Sequence, residues 1–241
     1  MYTMKYGTAI KPSTQRHSMF KWFQKQYFAT KATLVLLVVI VVLGIGTSRG
    51  EDIPQPVVDW IEKNVVKIYA GQGGGSGFFV APDLVVTACH VTGPWKTVYI
   101  SPEGYLNRYP AQVLACDEAA DLALLRLYEN KPKSLPTYIA KENPETGKAT
   151  YGSGYPIGLP LTIFDGHWQR PSSLGYMNST HVVPGDSGSP LLIFEDGKVK
   201  VVGVRVSMLN AGESKATEQI FPRLAFIKDV PDLRRFLHEN T

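Results

Sequence analysis

Short apolar runs broken by glycine, proline and polar turns recur along most of the chain, and few of them are long enough for a helix. Apolar positions at Val57, Val58, Ile61 and Val65 predict a brief amphipathic helix entered after Pro56, running into a strand at 65–69. Residues 71–77 hold five glycines and read as a hairpin into a strand at 78–80. Further strands are predicted at 84–91, 97–100, 109–116 and from Asp121 through Asp-Leu-Ala-Leu-Leu-Arg-Leu, where period-two alternation sends one side chain in and the next out. A polar stretch at 129–148 with Pro132, Pro136 and Pro144 separates two strand-rich halves. Beyond it, 149–155, 161–164, 173–179, 191–194 and 198–207 read as strands. Residues 230–239 close the chain as an amphipathic helix, with Pro231 near its start and Leu233, Phe236 and Leu237 on one side. Many short strands and almost no interior helix predict an all-β barrel or sandwich.

The first 48 residues do not fit this pattern. Residues 32–46 form an uncharged apolar run that as a helix spans about 22 Å, against about 30 Å of hydrocarbon core. Lys31 and the aromatics Trp22, Phe23, Tyr27 and Phe28 extend it at the interface, and 32–48 is expected to act as an uncleaved signal-anchor; a signal peptide with small residues at Gly44 and Gly46 is the alternative. Either way the basic segment 1–31 is expected in the cytosol, with residues 49 onward across the membrane (periplasmic or extracellular) or secreted after cleavage. The segment 49–56 is a linker, and the folded domain is expected over 57–241.

Charge and cysteine content narrow the chemistry. The net charge of +4 comes from Lys5, Lys11, Arg16, Lys21, Lys25 and Lys31, which lie where there is no acid, so the rest of the chain is slightly acidic. No electrostatic footprint for nucleic acid is present in the folded part. The only cysteines are Cys89 and Cys116, too few for a disulfide scaffold; they can pair or stay free, with free buried thiols the default for a domain that has its own core. No Cys-x-x-Cys, His-Glu-x-x-His or EF-hand pattern occurs, and metal catalysis has no support.

The candidate chemistry lies in Pro184-Gly185-Asp186-Ser187-Gly188-Ser189-Pro190, which precedes an apolar strand. A serine in such a turn exposes its hydroxyl while the N–H groups of Gly185 and Ser187 point at one spot, as an oxyanion requires. A glycine-rich hairpin turn would use the same residue types. Upstream, however, a predicted strand ends at His90, and Asp121 heads another, where a carboxylate can fix a neighbouring imidazole. The order His90, Asp121, Ser187 is that of chymotrypsin-like enzymes.

The blocks Gly75-Ser76-Gly77-Phe78, Thr87-Ala88-Cys89-His90-Val91, Asp121-Leu122-Ala123-Leu124-Leu125 and Gly185-Asp186-Ser187-Gly188-Ser189-Pro190 resemble those of trypsin-like serine proteases. Gly152-Ser153-Gly154-Tyr155-Pro156-Ile157-Gly158-Leu159 makes the chain most similar to the HtrA/Deg type, over roughly residues 57–241. The resemblance implies two six-stranded antiparallel barrels, at about 65–130 and 148–228, with a C-terminal helix and an active site in the crevice between them. It implies a serine endopeptidase acting on protein or peptide substrates through an acyl-enzyme, with His90, Asp121 and Ser187 as the triad, Gly185 and Ser187 as the oxyanion hole, and no cofactor. A non-catalytic protease-like binding module and a viral-type self-processing protease are the alternatives.

Three departures stand out. Asp186 occupies a position where HtrA proteases have asparagine and digestive relatives an aspartate that pairs with a new amino terminus after zymogen cleavage. Cys89 replaces a small residue before the histidine. No residues remain after the closing helix for a PDZ domain, so a protease domain without one is expected. By position relative to Ser187, His181 is expected at the base of the primary substrate pocket and Arg205 along its wall, and two otherwise unpaired cations there predict a preference for acidic side chains; the alternative, equally open from strand parity, is that Arg205 points to solvent or pairs with a local carboxylate.

Overall fold

Six strands follow the first helix and close on themselves. In the computed structural model, which describes residues 52–104, 107–128, 132–171, 176–180, 183–208 and 225–241, helix α1 (Gln55–Asn64) buries Val57, Trp60, Ile61 and Asn64, the i, i+3, i+4, i+7 stripe of an amphipathic helix. Strands β1 (Val65–Ala70), β2 (Gly73–Ala81), β3 (Leu84–Thr87), β4 (Thr97–Pro102), β5 (Tyr109–Asp117) and β6 (Leu122–Leu127) then form a closed barrel in the order β1-β2-β3-β6-β5-β4. Between β3 and β4, Cys89–Thr92 forms a single helical turn, α2.

The second half is built from β7 (Tyr138–Ile139), β8 (Ala149–Gly154), β9 (Thr162–His167), β10 (Tyr176–Asn178), β11 (Pro190–Glu195), β12 (Lys198–Met208) and β13 (Ala225–Lys228). These form a seven-stranded sheet ordered β10-β13-β12-β11-β8-β9, with β7 added in parallel on β12. The sheet curls back on itself, because a Trp168–Asn178 bridge joins the end of β9 to β10. Among the described residues the second half is thus barrel-like, with six strands in the ring and one outside it, rather than a plain six-stranded barrel.

Helix α3 (Val230–Asn240) starts at Asp229, whose side chain accepts the Asp232 N–H, and buries Val230, Leu233 and Phe236 against β12 of the second sheet and β5 and β6 of the first. Covered in this way, β6 buries four consecutive residues from Leu122 to Leu125, so the expected in-and-out alternation is lost. The connection between halves is tied back to α1: Trp60 Nε1 donates to the Pro136 carbonyl, and the Asn64 amide exchanges hydrogen bonds with Leu135 at 2.8 Å each way.

Two local expectations are corrected. The glycine-rich segment is a hairpin as expected, but its turn is only Gly71-Gln72: β2 begins at Gly73, paired with Ala70 of β1, rather than at Phe78, and it runs too close to its neighbours for side chains. A Cβ at Gly75 would sit 2.7 Å from the Val91 side chain and 2.8 Å from the Ser187 carbonyl. The strand expected to end at His90 ends instead at Thr87, where Ala88 turns the chain into α2.

The cysteines, expected by default as free thiols, are joined: Cys89 and Cys116 form a disulfide with Cα atoms 5.2 Å apart. The bond ties α2 to β5, which pairs with β6 through Cys116 and Ala123. Closing a loop with a sequence separation of 27 contributes about 3–4 kcal/mol by the chain-entropy account. Cys116→Ser is therefore expected to lower Tm by about 7–14 °C in a thermal melt. Reductant should lower the Tm of the unsubstituted chain by a similar amount and leave that of the variant unchanged.

Candidate active site

Antiparallel pairing of β3 with β6 places the end of one strand beside the start of the other, with Thr87 opposite Ala123. His90, three residues past Thr87, and Asp121, two before Ala123, therefore emerge at the same edge of the barrel. Asp121 takes a left-handed conformation (φ 51°), which aspartate tolerates better than most residues. Its carboxylate grips His90 twice. Oδ1 accepts the His90 backbone N–H at 3.0 Å and Oδ2 lies 2.8 Å from Nδ1. Facing a carboxylate that only accepts, a neutral imidazole carries its proton on Nδ1 and keeps a lone pair on Nε2. The His90 side chain is 49% exposed and so open to solvent.

Ser187 lies in the turn before β11, and that turn is pinned from both halves of the domain. From the first barrel, the Ser76 N–H donates to the Ser187 carbonyl at 2.8 Å and Ser76 Oγ donates to the Gly185 carbonyl at 2.7 Å. From the second, Ile157 N–H donates to the Pro184 carbonyl at 2.6 Å, Gly188 N–H to the Arg205 carbonyl at 2.6 Å, and Ser189 N–H to the Asp186 carbonyl at 3.0 Å. The Pro184 and Asp186 carbonyls are thus occupied, and in a trans peptide the following N–H points the opposite way. Those N–H groups belong to Gly185 and Ser187, and among the described residues neither has an acceptor. Gly185 sits at φ 104°, and a Cβ there would collide with the Tyr155 carbonyl.

Of the three residues singled out in the sequence, the structure joins His90 to Asp121 directly and brings the Ser187 turn up to them through the backbone. A Cβ on Gly188 would lie 2.7 Å from Ala88 N and strike Thr87 Oγ1, just before His90. Among the described residues Ser187 Oγ makes no hydrogen bond, and the approach of its turn to the His90 turn runs through Gly188, Thr87 and Ala88. His181 lies outside the described residues.

Arg205 is not a free cation along a pocket wall. It is 1% exposed, with Nη2 3.4 Å from Asp186 Oδ2. The reason for expecting an acidic preference, cations left unpaired in a crevice, therefore does not hold for Arg205. Burial pushes the Asp186 carboxyl above the usual carboxylate range, with Arg205 and the Val183 N–H pulling the other way. Burial likewise lowers Arg205 from the usual guanidinium value, against the pull of Asp186.

Ser76 is the residue whose role the sequence did not reveal, although the Gly-Ser-Gly block marked its position. Fully buried, its hydroxyl donates to Gly185 and accepts the Tyr155 N–H at 3.0 Å, linking β2 to two segments of the other half. Ser76→Ala leaves a buried carbonyl and a buried N–H without that partner, at about 1–3 kcal/mol for each. A urea denaturation curve is expected to show the lower midpoint.

Comparison with known proteins points the same way. Residues 75–204 match the family described as the trypsin-like peptidase domain. The chain is 32% identical over 182 residues to bovine (Bos taurus) mitochondrial serine protease HTRA2, covering 69% of this chain and 36% of that protein. It is 28% identical to serine protease HTRA1B of Danio rerio, covering 66% of this chain and 35% of that one. The chain thus spans about a third of the length of these curated relatives. Among solved structures, the Rv3671c protease in an inactive form superposes with a TM-score of 0.63 at 26% identity, covering 77% of this chain and 92% of that one. The active form of the M. tuberculosis Rv3671c protease gives a TM-score of 0.62 at 25% identity, covering 77% and 84%.

Proposed function

This chain belongs to the trypsin-like peptidase family, and on that premise we propose that it is a serine endopeptidase acting on protein substrates through His90, Asp121 and Ser187. The observation that carries the reading is the double grip of Asp121 on His90, which fixes the imidazole with its Nε2 lone pair free. Ser187 Oγ attacks the scissile carbonyl carbon as Nε2 takes its proton. The carbonyl oxygen becomes an oxyanion and receives the N–H groups of Gly185 and Ser187. The imidazolium, stabilised by Asp121, returns the proton to the leaving amine, and the C–N bond breaks to leave an acyl-serine. Water then attacks the ester with His90 again as base, releasing the acid and regenerating Ser187. Three side chains, two backbone amides, the peptide and water account for every proton and electron pair.

In a structure without substrate, a nucleophile not yet hydrogen-bonded to its base is compatible with this chemistry, since such bonds tighten in the complex. The test is digestion of a proteome-derived peptide library by the full chain, with the new termini read by mass spectrometry. Internal cuts with a consistent preference beside the scissile bond support the endopeptidase; trimming from chain ends alone, or no cleavage, rejects it.

We further propose that the apolar run at 32–46 holds the protease domain on the far side of a membrane. That run lies outside the described residues, and among those described no helix is long and apolar enough to cross a membrane. Amino-terminal sequencing of the mature protein tests the anchor, and a start near Thr47 would replace it with secretion.

A further inference from the structure

Asp186 lies between the two residues whose N–H groups face the proposed oxyanion site, and it has no exposed surface. A carboxylate taken wholly out of water needs a counter-charge and hydrogen bonds, or it moves or takes up a proton. In digestive proteases the counter-charge at this position is an amino terminus created by cleavage. Here a side chain of the chain itself stands beside it.

We propose that Arg205 is a positioning residue for the active site, the built-in counter-cation of Asp186 that holds the Gly185–Ser187 turn in its anion-accepting shape without any chain cleavage. This rests on the peptidase reading above for its catalytic consequence. Arg205 grips the turn at two levels. Its backbone accepts the Gly188 N–H at 2.6 Å and donates to the Ser189 carbonyl at 2.9 Å, fixing the side of the turn after Ser187. Its guanidinium reaches Asp186 Oδ2 at 3.4 Å, the oxygen that also accepts the Val183 N–H at 3.1 Å, fixing the side before it.

The guanidinium is itself held in place. Its Cζ lies 5.3 Å from the centre of the Phe164 ring, and Nη1 is 3.4 Å from Ser189 Oγ and 3.5 Å from the Ser153 carbonyl. Gly152 leaves the room, since a Cβ there would lie 3.2 Å from Nη1. A planar fork with donors on several edges suits this place better than a single ammonium, because it meets the carboxylate on one side and neutral oxygens on another. Arg205 also stands on β12 next to Val204, which pairs with Pro190 at the start of β11, so the strand that carries the cation is zipped to the one that leaves the catalytic turn.

The test uses the full chain and three variants: Arg205→Met, Arg205→Lys, and Asp186→Asn combined with Arg205→Met. The double variant removes both charges and remains informative if Arg205→Met alone fails to fold. Three quantities are read on each: peptide hydrolysis, inhibition by a peptide boronate that mimics the oxyanion, and amide exchange over residues 183–189. Arg205→Met and the double variant are expected to lose on the order of 10²-fold in kcat and in boronate affinity, with KM within about threefold. Arg205→Lys should recover at least about tenfold of that loss, because it restores the charge but not the fork.

Amide exchange across 183–189 should quicken on the order of 10²-fold in the double variant while exchange elsewhere stays unchanged, a readout that stands whether or not the chain cleaves peptides. Unchanged exchange in that segment together with kcat and boronate affinity within threefold overturns the assignment. An unsubstituted chain that neither cleaves peptides nor binds the boronate overturns the peptidase reading instead, and the exchange measurement then decides the role of Arg205.

Discussion

Ser187→Ala is expected to lower kcat by on the order of 10⁴ to 10⁶ while leaving KM and Tm close to those of the unsubstituted chain. The variant keeps every hydrogen bond that shapes the turn, because those bonds run through backbone atoms and through Ser76, Ile157 and Arg205, not through Ser187 Oγ. What is lost is the atom proposed to form the acyl bond. A residual rate above that in water is expected, since the N–H groups of Gly185 and Ser187 still meet a developing oxyanion when water attacks in place of the serine. Progress curves on a fluorogenic peptide, with each preparation titrated for protein, measure the loss; a fall of less than about tenfold would place the nucleophile elsewhere.

Asp121→Asn is expected to cost about 10⁴ in kcat with little effect on folding. The size follows from how the two carboxylate oxygens are used. One accepts the His90 backbone N–H at 3.0 Å and the other faces Nδ1 at 2.8 Å, so both partners present a hydrogen to an acceptor. An asparagine has one acceptor and one NH₂ group. With its oxygen on the backbone N–H, the amide NH₂ faces Nδ1 and selects the tautomer protonated on Nε2, which has no lone pair for the Ser187 proton. Turned the other way, it sets NH₂ against the backbone N–H and releases the loop at Asp121. Steady-state kinetics together with the ¹⁵N chemical shifts of the two ring nitrogens distinguish this from a loss of fold: the variant should show Nε2 protonated at neutral pH, and an unchanged tautomer would contradict the argument.

What was legible in the sequence was local. The ordered blocks around His90, Asp121 and Ser187, the glycines that let turns close, and the apolar stripes of α1 and α3 each lie within a few consecutive residues. The strands that were missed are short and owe their structure to a neighbour. Tyr138–Ile139 is a strand because it lies along Lys200 and Val201. Ala225–Lys228 is one because it pairs with both β10 and β12. The Gly73–Gly75 segment has no side chains to show a strand pattern, and its extended form follows from pairing with β1.

The features that shape the candidate site depend on distant residues meeting. Ser76 and Gly185 are 109 positions apart, and Cys89 finds Cys116 only because β5 lies beside β6. Arg205 looked like a pocket-wall cation because its distance from Ser187 along the chain says where its backbone lies, not which way its side chain turns. The structure turns it inward to Asp186, so that Arg205 stands as the counter-charge of Asp186 that the sequence left open. Specificity was harder to read than chemistry for the same reason.

The most direct test of the central claim, that a serine on one half of the domain is activated by a histidine held on the other, is where a fluorophosphonate bonds to the full chain. After reaction, digestion and peptide mapping, one phosphonyl adduct is expected, on Ser187, forming at least 100-fold more slowly in His90→Ala. An adduct on a different residue, or none from a chain that still cleaves peptides, would contradict it.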